Sequence, residues 1–318
     1  MTVPVLPTPT TAAGQEATSE PTSSAGSVVL ALLAAARPRQ WMKNAFVLAP
    51  LIFSGEFRDA GSVIAAVTAA FAFTLMAAGT YFLNDLADRE HDREHPKKRT
   101  RPIASGRVST AIAAGTAAVL ATGGLAVGLV INATTMVILG AYWMLQLAYT
   151  TRFKKEAILD VLCIAMGFVL RVLAGAAAIE VDPSSWLLIC TLFLATFLGF
   201  GKRAGEVVRL AGGDGKVTRP VLIAYHDRLL TSLLSITCSL TLMSYALYIV
   251  THVPASPLLA ATVPVVAYAL FRYLLLALRA SDGQDAENPE TLLLRDKYLI
   301  IAGLVWGALS IAAMAMAR

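Results

Sequence analysis

The chain has 318 residues, of which 57% are hydrophobic and only 15% are charged, and its mean hydropathy is +0.66. A soluble domain carries about 25% charged residues. The composition therefore excludes an ordinary soluble protein and indicates repeated membrane crossings, because a charge in the hydrocarbon core is costly. The net charge of +5 would favour nucleic-acid binding in a soluble chain. In a membrane protein it more often reflects basic cytoplasmic loops, so we expect no nucleic-acid partner.

Nine apolar stretches follow a polar N-terminal segment. Residues 1–26 are rich in Thr, Ser, Pro and Ala without apolar periodicity, so we expect a disordered tail there and one transmembrane domain over residues 27–318. A helix needs about 20 apolar residues to cross the bilayer core. The predicted fold is all-α and polytopic, with nine transmembrane helices. Their predicted bounds are 39–54, 61–83, 110–130, 132–149, 158–179, 186–201, 230–250, 258–278 and 298–316.

Basic residues are distributed unequally between the two sides of these spans. With nine crossings, 22 of the 26 Lys and Arg residues fall at the start of the first span or after an even-numbered one, and two fall on the other side. Short cytoplasmic loops are enriched in Lys and Arg. We therefore expect a multi-pass cell-membrane protein whose N-terminus and basic loops are cytoplasmic and whose C-terminus lies outside.

Three aspartates leave the membrane together at the end of the second span. If the helix continues through them, Asp85, Asp88 and Asp92 lie within an arc of about 60°. Clustered carboxylates repel one another unless a cation lies between them, and Mg²⁺ binds through one or two carboxylates plus substrate phosphate oxygens. The pattern predicts a magnesium site at the cytoplasmic end of this span. The alternative is a solvated loop in which neighbouring basic residues neutralise the acids.

Asn84 opens an Asn-Asp-x-x-Asp-x-x-x-Asp pattern, and a segment that is typical of a tight turn follows at 101–106. This combination resembles the UbiA superfamily of intramembrane prenyltransferases. The resemblance implies nine helices around a lipid-accessible cavity, with the first acidic motif holding Mg²⁺ and a diphosphate.

The chain departs from most of that superfamily after the sixth span. The resemblance to aromatic prenyltransferases would place a second aspartate-rich motif there, which binds the isoprenyl diphosphate. This chain instead has Lys202 and Arg203, in what we expect to be a loop. Arg and Lys bind phosphate directly, so we predict that both residues contact a substrate phosphate. Alternatively, they only follow the cytoplasmic excess of basic residues.

Further segments are similar to the decaprenyl-phosphate phosphoribosyltransferase branch of the superfamily, namely 37–44, 149–154, 159–161, Arg171, 201–203 and 294–296. The resemblance implies Mg²⁺-dependent transfer of 5-phosphoribosyl from phosphoribosyl diphosphate to a polyprenyl (decaprenyl) phosphate, for arabinan assembly in cell walls. Whether the protein forms a homo-oligomer is left open. The candidate catalytic residues are Asp85, Asp88, Asp92, Lys43 and Arg171. The candidate substrate-binding residues are Arg37, Lys43, Asn44, Asn84, Arg101, Tyr149, Lys154, Asp160, Arg171, Lys202 and Arg203.

Two charged residues lie in or next to the fifth predicted span. Asp160 and Arg171 share one helix face but lie about 16 Å apart along the axis, so we expect no direct pairing. Arg171 must face a polar cavity or a partner at this depth, and the alternative is a purely structural role. Gly167 and Gly175 flank it and permit close approach of another helix.

Two other functions remain open at this stage. One is a UbiA-type prenyltransferase that moves an isoprenyl group to an aromatic or glyceryl acceptor. The basic residues after the sixth span argue against this function. The other is a non-enzymatic carrier or channel, which would leave the three carboxylates without a purpose. For phosphoribosyl transfer no general base is needed, because a lipid phosphate is already an anion near neutral pH.

The charge asymmetry makes a prediction about topology. A reporter fused after Arg318 should lie outside the cytoplasm, and one inserted near Gly213 should lie inside, because the basic loops stay on the cytoplasmic side. Protease protection of the two reporters measures this. Both reporters on the same side would contradict the nine-span topology.

Overall fold

The computed structural model describes residues 25–96, 98–211, 220–252, 256–279, 292–293 and 295–316, and within these ranges the regular elements are all helices. The α-helices that we number are α1 (Ala25–Ala35), α2 (Ala49–Phe53), α3 (Ala60–Ala87), α4 (Arg89–Glu94), α5 (Thr110–Ile131), α6 (Ala133–Thr151), α7 (Leu159–Ala178), α8 (Ser185–Ala211), α9 (Asp227–His252), α10 (Pro257–Ala260), α11 (Thr262–Arg279) and α12 (Lys297–Met316). The 3₁₀ segments are Pro38–Leu48, Glu56–Arg58, Lys98–Thr100, Phe153–Lys155 and Pro220–Ala224.

Seven spans among the described residues are long and apolar enough to cross a membrane, and the protein is a multi-pass membrane protein. They are formed by α3, α5, α7, α8, α9, α10 with α11, and α12. The prediction of nine transmembrane helices is therefore confirmed only in part. The fourth predicted span forms the 19-residue helix α6, whose Tyr, Trp, Gln and Thr side chains make it less apolar than the seven.

The first predicted span is not a single α-helix. Residues Pro38–Leu48 form a 3₁₀ segment, and the five-residue α2 follows it. A proline at the start of each piece lacks the N–H that a continuous helix would need. The segment still runs beside α3, since Arg37 contacts Asp85 near the end of α3 and Asn44 contacts Thr74 at its middle.

Two further boundaries differ from the sequence expectation. Helix α1 forms over Ala25–Ala35, where we predicted no helix, and its Ala31 and Ala35 pack against α3. Helix α8 extends to Ala211, so Lys202 and Arg203 lie in a helix and not in a loop. The reason is that its apolar face continues beyond the predicted end, with Phe200 and Ala204 both buried.

Helices α3, α5, α6 and α7 form one part of the bundle. Helix α5 turns a row of small residues toward α3, with Ala113, Ala117 and Ala121 buried four residues apart. At Gly124 a Cβ atom would lie 2.8 Å from the side chain of Met76. Small residues allow two helix backbones to approach closely, and this packing holds helices together in a lipid environment.

Helices α8, α9, α11 and α12 form the other part. Helix α8 packs on both α7 and α9, and α11 packs on α9 and α12. The core between them contains large side chains, including Phe197, Phe200, Leu234 and Tyr273. Helix α8 therefore joins the two parts. Its Arg203 pairs with Asp160 at the start of α7, so this end of α8 lies on the side of the bundle where α3 carries its aspartates.

Gly175 is the point of closest approach between α7 and the segment Pro38–Leu48. A Cβ atom on Gly175 would lie 1.8 Å from the carbonyl oxygen of Val47. This confirms the expected close approach at this glycine. At Gly167 an added Cβ would meet its neighbours at 3.5 Å or more, which is ordinary contact.

We expect Gly175→Ala to displace the segment Pro38–Leu48 and to lower the temperature of unfolding in detergent, because backbone atoms cannot move aside as a flexible side chain can. Gly303→Ala in α12 is the matched control, since nothing lies within 4 Å of its added Cβ. Thermal unfolding of both variants measures the difference. Equal unfolding temperatures for the two variants would contradict the close contact.

Candidate functional site

The three aspartates lie where α3 ends. The sequence analysis assumed that the helix continues through them, but it stops at Ala87: Asp88 is its C-terminal cap with φ −95° and ψ 4°, and the short α4 begins at Arg89. Asp85 and Asp92 are buried, with 3% and 1% of their surfaces exposed. Asp88 is half-buried. Buried carboxylates require cationic or hydrogen-bonding partners, and each of the three has one.

Arg37 and Arg101 pair with the buried aspartates from two different segments. Arg37 lies 2.5 Å from Asp85 and stacks on the ring of Tyr81 at 5.2 Å. The Nη1 atom of Arg101 lies 3.2 Å from Asp85 and 2.7 Å from Asp92, so both carboxylates converge on one nitrogen. About a third of each arginine side chain is exposed, at 32% and 30%, so solvent reaches both.

The turn after α4 fixes the position of Arg101. The amide of Val108 donates to the carbonyl of Pro102 at 3.0 Å, and Ile103 is fully buried. Gly106 has φ +81°, a conformation that favours glycine. The predicted turn at 101–106 is therefore present, and it folds back onto the acidic segment.

The loop between α6 and α7 supplies the partner of Asp88. The ammonium group of Lys154 lies 2.5 Å from an Asp88 oxygen. Four residues before Lys154, near the end of α6, the hydroxyl of Thr150 donates to the side-chain oxygen of Asn84. Three separate segments thus bring cations or hydroxyls to the end of α3. We call Arg37, Asp85, Asp88, Asp92, Arg101 and Lys154 the acidic cluster.

The donor set of the acidic cluster suits Mg²⁺, but it is not a preassembled cage. Within the ranges that the structure describes, no three His, Cys, Asp or Glu side chains are grouped so that they alone could hold a metal ion. Magnesium usually binds through one or two carboxylates and completes its shell with water and substrate phosphate oxygens. Asp85 and Asp92, which converge on Arg101, are two such carboxylates, and Asp88 is the most exposed of the three.

A second network joins α7, α8 and the segment before α9. Arg203 is 1% exposed and forms ion pairs with Asp160, at 2.8 Å, and with Glu206. The hydroxyl of Tyr225 donates to the other oxygen of Asp160 at 2.6 Å. Burial and the neighbouring Asp160 carboxylate raise the pKa of the Tyr225 hydroxyl above its ordinary value. We call these four residues the α7–α8 network.

Arg171 lies in the interior of the bundle. Its guanidinium donates to Asn44 at 2.9 Å, to the carbonyl of Gly167 at 2.8 Å and to Tyr142 at 3.4 Å. Asn44 in turn donates to Thr74 at 2.8 Å. No ion pair to Arg171 occurs in the described part of the chain, so its charge is balanced by dipoles and by three aromatic rings within 5.1 Å. As expected, Asp160 is not its partner.

The predicted site residues therefore fall into three groups. The acidic cluster contains six of the fourteen, and Asn84 adjoins it. The α7–α8 network contains Asp160 and Arg203, with Tyr149 close enough to Arg203 to interact electrostatically. The interior group contains Asn44 and Arg171, while Lys43 and Lys202 are half-buried on their helices.

Sequence reasoning missed several partners. Thr74, Tyr142, Thr150, Glu206 and Tyr225 all hold a predicted residue in place. Two of them carried a usable signal. Thr150 follows Tyr149 directly, and Glu206 lies three residues after Arg203 in the segment that replaces the second aspartate-rich motif. Thr74, Tyr142 and Tyr225 are distant in sequence from their partners.

Asp296, from the last segment of the resemblance, lies outside all three groups. One of its oxygens accepts from the amides of Tyr298 and Leu299, both at 3.0 Å, and so caps α12. Arg272 donates to the other oxygen at 2.8 Å, and this hydrogen bond lowers the pKa of Asp296. Its role is to fix the start of α12 against α11.

Comparison with known proteins identifies the family. The decaprenyl-phosphate phosphoribosyltransferase of Mycolicibacterium smegmatis is 34% identical over 293 residues, which cover 88% of this chain and 91% of that one. The enzyme of the same name from Mycobacterium tuberculosis is 32% identical over 300 residues, covering 92% and 97%. The solved structure of a UbiA homolog from Archaeoglobus fulgidus bound to GPP and Mg²⁺ shares the fold, with a TM-score of 0.69 and 20% identity over 90% of this chain and 99% of that chain. The family profile for UbiA prenyltransferases matches residues 44–294, and the chain therefore belongs to the UbiA prenyltransferase family.

Proposed function

We propose that this chain transfers the 5-phosphoribosyl group of phosphoribosyl diphosphate to a polyprenyl phosphate such as decaprenyl phosphate. The bond between C1 of the ribose and the diphosphate oxygen breaks, and the diphosphate leaves with the electron pair. An oxygen of the lipid phosphate forms the new bond to C1. The product, polyprenyl-phosphoryl-5-phosphoribose, supplies pentose for cell-wall arabinan.

The two relatives described above support this reading, since each bears the name of this activity and matches most of the chain. One structural observation favours it over isoprenyl transfer. Glu206 is the only acid in residues 199–206, where a second aspartate-rich motif would lie, and Arg203 already neutralises it. A second metal-held diphosphate therefore has no free carboxylates in this segment.

The acidic cluster is the proposed diphosphate site. Arg37, Arg101 and Lys154 are partly exposed and currently paired with carboxylates. Guanidinium and ammonium groups bind phosphate oxygens as readily as they bind carboxylate oxygens. We propose that they turn from the aspartates to the donor's phosphate groups when the substrate binds, and that Asn84 orients the same site through its contact with Thr150.

Asp85, Asp88 and Asp92 are the residues that would hold Mg²⁺ in this site. When bound, the ion would neutralise charge on the departing diphosphate. The carboxylates need a cation in either state, because three acids at the end of one helix repel one another. The pairing with arginine and lysine meets that need before the donor arrives.

Lys43, Tyr149, Arg171 and Lys202 are proposed to position the two anionic substrates. Arg171 has a buried positive charge without a carboxylate partner among the described residues, so a lipid phosphate would complement it. Positioning is the main task, because the two substrates repel each other and holding them together lowers the entropic barrier. We further propose that this face is cytoplasmic, as the concentration of basic residues indicates.

We correct one part of the sequence hypothesis within this proposal. Arg203 was expected to contact phosphate directly, but it is almost fully buried between Asp160 and Glu206. Turning it toward a substrate would leave two buried carboxylates without a cation. We therefore assign Arg203 to holding α7 and α8 together and keep Lys202 as a candidate for phosphate binding.

The principal test uses radiolabelled phosphoribosyl diphosphate and decaprenyl phosphate, with and without Mg²⁺, followed by lipid extraction. We expect labelled lipid only with the ion present, and none from Asp88→Asn, because that variant loses a carboxylate that is 39% exposed and should fold normally. Asp59→Asn is the control, since asparagine can still cap α3 at its other end. Transfer that survives EDTA would contradict the magnesium assignment. Prenylation of an aromatic acid, with phosphoribosyl diphosphate ignored, would contradict the function.

A second test separates Lys202 from Arg203. We expect Arg203→Ala to destabilise the protein by about 3–5 kcal/mol, because it leaves buried carboxylates unpaired. Lys202→Ala should fold normally and raise the KM for one of the two substrates. Thermal unfolding and steady-state kinetics distinguish the two effects. Equal stability for both variants would refute the structural role of Arg203.

A further inference from the structure

The backbone at Ile158, immediately before α7, is strained. Its φ is 71° and its ψ is −48°. A β-branched residue pays a steric penalty at positive φ, and such conformations persist only where surrounding contacts impose them. Ile158 is 39% exposed, so packing of its side chain does not explain the conformation.

Tyr225 supplies the side-chain contact to this backbone, beside the hydrogen bonds that the Ile158 carbonyl accepts from the amides of Val161 and Leu162. The amide of Ile158 donates to the Tyr225 hydroxyl at 2.6 Å, and the hydroxyl donates onward to Asp160 at 2.6 Å. Tyr225 is 2% exposed, and its ring packs edge-on against Phe200. A tyrosine hydroxyl is protonated near neutral pH, so it can accept from the Ile158 amide and donate to Asp160 at the same time.

The strained residue ends the loop that carries Lys154. The 3₁₀ turn Phe153–Lys155 lies against the 3₁₀ segment Pro220–Ala224, which leads directly to Tyr225. Lys154 lies four residues before Ile158 and pairs with Asp88 at 2.5 Å. Tyr225 therefore contacts the α7 end of this short loop, at Ile158, and Lys154 at the α6 end contacts the acidic cluster.

We propose that Tyr225 is a positioning residue: its hydroxyl holds Ile158 in the left-handed conformation and thereby places Lys154 against Asp88, where the diphosphate of the donor binds. The inference rests on the proposed function, because its test measures the KM for phosphoribosyl diphosphate. Arg203 contributes by fixing Asp160, the acceptor of the Tyr225 hydrogen bond. The α7–α8 network is thus joined to the loop that carries Lys154 by the Ile158 amide, beside the hydrogen bond from the Asp160 amide to the carbonyl of Glu156.

Tyr225→Phe tests the proposal, since it removes the hydroxyl and leaves the ring packing in place. We expect the KM for phosphoribosyl diphosphate to rise about tenfold, the scale of a lost hydrogen bond involving a charged group, with a smaller change for the lipid acceptor. In a Lys154→Ala background the same substitution should have little further effect, because both changes act on the same contact.

Rescue by glycine distinguishes positioning from a general structural role. Glycine adopts positive φ without a steric penalty, so Ile158→Gly should restore the donor KM to the Tyr225→Phe variant. Ile158→Ala is the matched control, which removes most of the side chain but keeps a Cβ, and it should not restore the KM. In the Ile158→Gly background, Tyr225→Phe should be nearly silent, a comparison that remains valid if Tyr225→Phe alone folds poorly.

The outcomes separate this inference from the function on which it rests. An unmutated protein that makes no labelled lipid would refute the proposed function. An active protein in which Tyr225→Phe leaves the donor KM unchanged would overturn the positioning role. The same conclusion follows if its effect adds fully to that of Lys154→Ala, or if alanine at position 158 rescues as well as glycine.

Discussion

Neutralisation of the carboxylates at the end of α3 is the constraint on which the rest of the site depends. Asp85 and Asp92 are buried and Asp88 is half-buried, so each must have a cation within reach. The cations come from three distant parts of the chain: Arg37 before the segment Pro38–Leu48, Arg101 in the turn after α4, and Lys154 after α6. The same electrostatic need that suits the site to Mg²⁺ therefore also gathers these segments around α3.

This arrangement separates the groups that can exchange partners from those that cannot. Arg37, Arg101 and Lys154 are partly exposed, so a phosphate can reach them, and in the proposed function Mg²⁺ would then neutralise the buried Asp85 and Asp92. Arg203 has no such freedom, because Asp160 and Glu206 enclose it away from solvent. Two groups of paired arginine and carboxylate side chains thus have different physical roles, which their burial decides.

The residues that the sequence predicted well are those whose partners are nearby or whose chemistry is unmistakable. Long apolar runs identified most of the helices, and the spacing of Asp85, Asp88 and Asp92 identified the acidic cluster. The segment Pro38–Leu48 was misjudged because its conformation depends on tertiary contacts, above all Asn44 with Thr74 and with Arg171, 127 residues away. Tyr225 was missed for the same reason, since nothing local reveals a bond to Asp160, 65 residues earlier.

The composition of the segment Pro38–Leu48 has a consequence for assembly of the protein in the bilayer. It contains Arg39, Gln40, Lys43 and Asn44, and polar side chains of this kind oppose independent entry into lipid. Helix α5, by contrast, has no charged residue and can enter the bilayer alone. The side chain of Asn44 finds its partners on α3 and α7, and α7 is synthesised more than 100 residues later. The segment can therefore settle against both helices only after α7 has been inserted, so this side of the bundle closes later than the packing of α3 on α5.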